Sequence, residues 1–185
     1  MTYAEMFNTL QPGCFDKPYI RDLPEDETFV EQIIDLHTWQ EGAPVPCPEH
    51  ITFGFYQGDA ETLQAAVREV EDDWAQWFGK TDRVFCAFDG DRIASFCLLD
   101  AFGAADGKKV GAPGCVGTVP AYRKQGIGLR MVQLATTILQ EEGYDLSWIH
   151  YTAVGHWYAK LGYKTVVTWN CKGIIELAKG LCRCE

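Results

Sequence analysis

Arg123, Gly126 and Gly128 stand at the spacing Arg-x-x-Gly-x-Gly, within Val119-Pro120-Ala121-Tyr122-Arg123-Lys124-Gln125-Gly126-Ile127-Gly128. A strand-like segment ends near Thr118, and a helical repeat opens near Ile127. A turn at a helix N-terminus aims unpaired backbone N–H groups at one point, where the positive end of the helix dipole also lies. Both effects favour a pyrophosphate. Gly126 and Gly128 would keep a Cβ out of the way of such a ligand. Two other phosphate motifs are excluded. A dinucleotide fingerprint needs Gly-x-Gly-x-x-Gly with an acid about 20 residues on. A P-loop needs a closing Gly-Lys-Ser/Thr. On the turn alone, an ordinary loop before a helix is an equally good reading.

The following segments add a second constellation. Ile127, Met131, Leu134, Ala135 and Ile138 recur at helical spacing, and Gly143 is a natural stop. Leu146 to Tyr151 reads as a strand. Val154 to Tyr163 reads as a short helix closed by glycine and followed by another strand.

The Val-Pro-x-x-Arg-x-x-Gly-x-Gly turn resembles the acetyl-coenzyme A pyrophosphate motif of the GCN5-related N-acetyltransferase (GNAT) family. Tyr158-Ala159-Lys160-Leu161-Gly162-Tyr163 resembles that family's later Tyr-x-Lys-x-Gly-Phe/Tyr motif. The two occur in the family's order, with a helix and a strand between them, and the resemblance covers about residues 83 to 170.

The resemblance implies an α+β fold: a mixed, mostly antiparallel sheet of about seven strands with a splayed parallel pair, flanked by about four helices. It implies one acyl-CoA N-acyltransferase domain over residues 1–185, with 1–82 on the acceptor side and 83–185 binding the cofactor. Acetyl-CoA is then the cosubstrate, with no metal. Arg123, Lys124, Gln125, Gly126, Ile127, Gly128 and Leu129 form the pyrophosphate turn. Backbone at Val116, Gly117 and Thr118, on a bulge that Gly117 would ease, holds the pantetheine. Tyr158 matches the usual proton donor to the coenzyme A sulfur, a job that suits a neutral phenol. Without the motif, Tyr158 reads as a packing residue beside Val154 and Leu161. The family often has an asparagine where this chain has Tyr151, so no cofactor contact is implied for that side chain.

The implied reaction moves an acetyl group to a primary amine of a small molecule or peptide, by direct attack in a ternary complex. The alternative is a domain that binds acyl-CoA as a sensor without turnover. No carboxylate lies on the presumed fourth or fifth strand to act as base. His150, at the end of the fifth, is a candidate, with a packed or capping histidine as the plain reading. Asp100 and a water chain are further options, and His156 should point elsewhere on its helix. Dimers are common in the family, so a homodimer is implied as one assembly.

Composition bounds the rest. The chain has 185 residues, 47% of them hydrophobic, enough for one domain with a full core. A formal net charge of −10 argues against nucleic acid and suits a cationic amine. Lys108, Lys109, Arg123, Lys124 and Arg130 would supply local positive charge for an anionic cofactor. No apolar run approaches the roughly 20 residues that span a bilayer, and the N-terminus does not read as a signal peptide. The expectation is a cytoplasmic protein with no membrane partner and with its eight cysteines reduced. Cys182-Arg183-Cys184 looks like half a metal site, whereas structural zinc needs about four ligands.

The remaining elements follow from local pattern. Pro18 to Leu23 reads as a strand, and Phe29, Val30, Ile33, Ile34 and His37 as a helical face. Gly42 to Pro48 reads as a loop, and Ile51 to Tyr56 as a strand or binding loop. Asp59 caps a helix whose face runs through Leu63, Val67, Trp74 and Trp77 to Gly79, with both tryptophans in the core. Phe53 and Tyr56 would line an acceptor pocket or seal the core. Arg83 to Phe88 and Arg92 to Leu99 form a hairpin around Asp89-Gly90-Asp91. Ala101 to Gly107 reads as a loop, and Lys109 to Thr118 as a strand interrupted at Pro113. Lys164 to Trp169 and Gly173 to Leu177 form a closing hairpin.

Overall fold

The computed structural model describes residues 1–79 and 82–178 of the chain. Its strands are β1 (Phe29–Asp35), β2 (Ile51–Phe55), β3 (Val84–Asp89), β4 (Arg92–Ala105), β5 (Lys108–Thr118), β6 (Leu146–Thr152), β7 (Lys164–Asn170) and β8 (Gly173–Leu177). Its helices are α1 (Tyr3–Leu10), α2 (Pro18–Arg21), α3 (Ala60–Arg68), α4 (Ile127–Glu141) and α5 (Gly155–Tyr158). The strands make one mixed sheet in the order β2-β3-β4-β5-β6-β1-β7-β8. One pair is parallel: β5 meets β6 with Val110 opposite Leu146 and Gly111 opposite Ser147. The α+β class and the parallel pair match expectation, and the sheet has eight strands rather than about seven.

The chain divides into two compact units. The first combines Met1–Trp39, Ala101–Gly111 and the described residues from Gly143 on. Its core is aromatic, with Phe7, Phe29, Trp148 and Trp169 buried beside Met6, Leu10 and Ile20. Asp145 pins the start of the parallel pair by accepting the Lys109 amide at 2.6 Å and pairing with His37 Nε2 at 2.7 Å. Those two bonds, the Lys109 amide first, hold its carboxyl below the usual range. The second unit comprises Gln40–Asp100 and Ala112–Glu142. There Leu63, Val67, Phe78, Val84 and Phe96 form one cluster, and Ile127 packs with Ile51, Ala87 and Ala94 in another.

Several local readings are corrected. Phe29 to Asp35 is a strand, not a helical face. It lies between β6 and β7, and Phe29, Glu31, Gln32, Ile33 and Ile34 are all buried. A strand covered on both faces loses strict alternation, which allows a helical spacing to emerge from it. Pro18 to Arg21 is a helix with proline in its first turn, not a strand. Helix α1 was not expected, although Thr2 and Glu5 close a capping box at its start. The helix capped by Asp59 stops at Arg68, and a 3₁₀ segment follows at Asp72–Trp77. Trp77 is 57% exposed and so is not a core residue. Ala101 to Ala105 continues β4, and the turn is Asp106-Gly107, both left-handed at φ 55° and 70°. β5 runs through Pro113 without a break, and Cys115 carries its left-handed residue at φ 45°.

Gly117 has a packing role. A Cβ there would lie 2.3 Å from Phe96 Cζ, and Phe96 is fully buried. Gly117→Ala should therefore cost about 1–3 kcal/mol of unfolding free energy in urea titration. Gly54→Ala, where an added Cβ meets nothing within 4 Å, should stay within about 0.5 kcal/mol of the parent.

Candidate functional site

The turn expected to bind an anion lies in the second unit, between β5 and α4. Backbone hydrogen bonding runs through Tyr122 N to Val119 O and Arg123 N to Pro120 O. It resumes at Arg130 N to Gly126 O. Among the described residues, the N–H groups of Lys124 through Leu129 find no protein acceptor. Lys124 (φ 63°) and Gly126 (φ 80°) are left-handed and alternate with ordinary residues, the backbone pattern that turns successive N–H groups into one concavity. A lysine held there is strained, and needs surrounding structure to fix it.

That surrounding structure is the loop over residues 41–46. Gln133 of α4 accepts from Val45 N at 2.9 Å and donates to Ala43 O at 3.1 Å. Arg130 pairs with Glu41 at 2.8 Å and bonds Gln133 at the same distance, and Thr137 donates to Glu41. The Arg130 charge, expected to serve the cofactor, is thus already engaged. The reason for glycine at 126 is also different. A Cβ there would lie 2.0 Å from the Pro46 carbonyl oxygen, so the closest neighbour of Gly126 is this loop.

Val116, Gly117 and Thr118 end β5 just before the turn. Ser95 Oγ donates to Gly117 O at 2.6 Å, and Arg123 Nε donates to Thr118 O at 3.0 Å. Arg123 therefore braces the strand end against the turn. Ile127 and Gly128 are buried, whereas Lys124 and Gln125 are exposed. Phe53 and Tyr56 take the core-sealing role: Phe53 packs beside Ile51 and Ile127, and the Tyr56 hydroxyl donates to Asp59 O at 2.9 Å.

The first unit holds the candidate acid–base groups. Tyr158 is buried, edge-on to Trp157 (4.7 Å between centroids) and to Tyr163 (6.0 Å). Its helix α5 lies close on β1, since a Cβ on Gly155 would meet Val30 Cγ2 at 2.7 Å. His150 is not merely packed. Its Nδ1 lies 2.9 Å from one oxygen of Glu31 and 3.0 Å from the other. Glu31 has no exposed surface, and also accepts from Trp148 Nε1 (2.6 Å), Trp169 Nε1 (2.8 Å) and Tyr151 N (3.1 Å). Sequence reasoning missed Glu31 by placing it in a helix. The available signal was the β-branched and aromatic run around it, Phe29-Val30-Glu31-Gln32-Ile33-Ile34. His156 and Asp100 are exposed.

The six described cysteines are free thiols. Burial pushes the Cys86 thiol up to about 12 and Cys115 to about 11, and raises Cys97 as well, so none is a ready nucleophile. Cys182 and Cys184 lie outside the described residues. Among the described residues no helix is long and apolar enough to cross a membrane.

Residues 80–165 match the family model described as the acetyltransferase (GNAT) domain. Over that segment, a little under half of its length, the chain is similar to this domain. The GNAT match includes β5, the amide turn, α4 and the Tyr158 segment. Three solved structures share the fold. A GCN5-related glucosamine N-acetyltransferase region of a fungal multi-domain GH3 beta-N-acetylglucosaminidase has 20% identity and a TM-score of 0.66, over 78% of this chain and 20% of that one. A GCN5-related N-acetyltransferase from Sphaerobacter thermophilus has 18% identity and a TM-score of 0.57, over 77% of this chain and 50% of that one. One from Kribbella flavida has 20% identity and a TM-score of 0.55, over 77% and 56%. This chain therefore spans 20 to 56% of the length of those three solved chains. It has no significant match among curated protein sequences.

Gly126→Ala would force a Cβ against Pro46 O at a left-handed position. It should lower the thermal midpoint in scanning calorimetry, because the 41–46 loop and the amide turn must shift together.

Proposed function

We propose that the chain is an acetyl-CoA-dependent N-acetyltransferase acting on a primary amine of a small molecule or peptide, by direct attack within a ternary complex. The observation that carries this reading is the run of backbone N–H groups from Lys124 through Leu129 with no protein acceptor among the described residues. Orphan donors at a helix N-terminus fit a pyrophosphate. Lys124 through Leu129 would hold that group, and the backbone of Val116, Gly117 and Thr118 the pantetheine. Acetyl-CoA supplies the acetyl thioester. The GNAT domain match supports acyl transfer as the reaction class.

This chain's residues then have three tasks. They hold the thioester by its distal phosphates, so that reaction becomes effectively unimolecular. They take a proton from the ammonium form of the acceptor, whose pKa in water is near ~10.4 for an alkyl amine. They also give a proton to the departing thiolate as the C–N bond forms and the C–S bond breaks, and Tyr158 is the donor in this reading. The acidic chain, at −10, suits an acceptor that arrives as a cation, and the setting proposed is the cytoplasm. A homodimer belongs to the same proposal.

The test is coenzyme A binding by titration calorimetry, followed by thiol release from acetyl-CoA against a panel of primary amines. Binding with amine-dependent release is expected, and binding without release against every amine returns the domain to a sensor. Tyr158→Phe should lower kcat by about 10²–10⁴-fold with little change in coenzyme A affinity. An unchanged kcat across the pH range removes Tyr158 from the proton-donor role.

A further inference from the structure

Glu31 presents a buried carboxylate to four donors, and three of these groups can only donate: the indoles of Trp148 and Trp169 and the amide of Tyr151. None of the three can accept, so the carboxylate serves them as acceptor through both oxygens. His150 Nδ1 then supplies the fourth N–H, which leaves the lone pair on Nε2. Among the described residues Nε2 has no hydrogen-bond partner. The one buried side-chain polar atom without a partner among them is Gln32 Oε1, so Nε2 is not sealed in. The His150 side chain is 21% exposed. Its ring is walled by Phe102, Tyr151 and Phe7, with centroids 5.6, 6.1 and 6.2 Å away. The result is a fixed tautomer with one accessible basic nitrogen and an unscreened counter-charge behind it.

We propose that His150 Nε2 is the general base that deprotonates the acceptor ammonium, and that Glu31 is the residue that positions it and balances the imidazolium charge. This rests on the acetyltransferase reading above. The proton step breaks an N–H bond of the ammonium and forms Nε2–H. The freed amine lone pair makes the C–N bond while the C–S bond breaks. Tyr158 protonates the thiolate and recovers its proton from the second amine N–H, and the imidazolium returns its proton to solvent. Glu31 contributes through the histidine, since it has no exposed surface with which to reach substrate. The other titratable groups around the pair are Tyr151 beside the imidazole and Cys14 near Glu31, with Lys17 beside Cys14. Desolvation raises both Tyr151 and Cys14, so both stay neutral near pH 7.

The experiment uses the full chain and an amine that the wild type acetylates. His150→Ala should lower kcat by about 10²–10⁴-fold, and added imidazole should restore part of it. Glu31→Gln should lower kcat by about 10–100-fold. It should also mix the two tautomers of His150 in its ¹⁵N spectrum, because the carboxylate that fixes Nδ1–H is lost. Coenzyme A affinity should be unchanged in both. In the wild type, ¹⁵N spectra of His150 should show protonated Nδ1 and bare Nε2, a readout that needs no variant to fold. Full activity of His150→Ala overturns the proposal, as does an Nε2–H tautomer in the wild type. Failure of the wild type to bind coenzyme A or turn over any amine sinks the acetyltransferase reading itself.

Discussion

A carboxylate taken wholly out of water costs several kcal/mol unless its lone pairs are met. Glu31 is such a group, and it sits in the strand between β6 and β7. Its neighbours are arranged to meet it. On the β6 side, Val30 faces Thr152 and Gln32 faces Ile149, so His150 and Tyr151 together oppose Glu31. On the β7 side, Glu31 faces Val167 while Gln32 faces Thr165, which leaves Val166 as the additional residue. Both neighbouring strands are thus bulged at the carboxylate. The β6 bulge places Tyr151 at φ 53°, a strained position for a bulky side chain. It also releases the Tyr151 amide from the ladder, and Glu31 accepts it. Strain at one residue is offset by satisfaction of another.

The same constraint explains the composition of the first unit's core. Trp148 and Trp169 are fully buried, and an indole N–H in a dry interior needs an acceptor as much as the carboxylate needs donors. The three groups solve each other's problem. Replacing any one with an apolar residue would orphan the others, so this polar centre stands or falls as a set. The second unit presents the reverse situation. There the main chain offers donors at Lys124 through Leu129 and the protein offers no acceptor among the described residues. Burial fills every hydrogen-bonding position at Glu31. The partly exposed turn leaves its positions open, which is the condition for binding an external anion.

That contrast also separates what the sequence made legible from what it did not. The turn, α4, β6, and the hairpin of β7 and β8 were readable because their signals are local: glycines at fixed offsets, a 3.6-residue repeat, a stop at Gly143. β1 was not, because its identity depends on partners more than a hundred residues away. Phe29, Val30, Ile33 and Ile34 fit a helical spacing as well as a doubly covered strand, and only pairing with Trp148 and Trp169 decides between them. Misplacing β1 hid Glu31, and with Glu31 hidden His150 read as a histidine without a partner. Trp77 failed for a related reason. The spacing placed it on a core face, but the α-helix ends at Arg68 and the tighter 3₁₀ turn rotates that face outward.

β1 therefore carries more than its place in the sheet. Its Glu31 orients His150, and its Val30 and Gln32 form the floor on which α5 rests. A Cβ on Gly155 would meet Val30 at 2.7 Å and the Gln32 amide nitrogen at 3.0 Å, so glycine is the residue that lets the helix bearing Tyr158 come this close. Gln32 is in turn held by Thr165 of β7 at 3.0 Å. The imidazole and the phenol thus take their positions from three consecutive residues of one strand. A shift of β1 by a single register position would turn Glu31 to the other face and lift Val30 and Gln32 from under α5. Such a shift is opposed by the cost of the unpaired buried tryptophan N–H groups and the unpaired carboxylate it would create. The buried charge thereby fixes the register, and the register fixes both titratable groups.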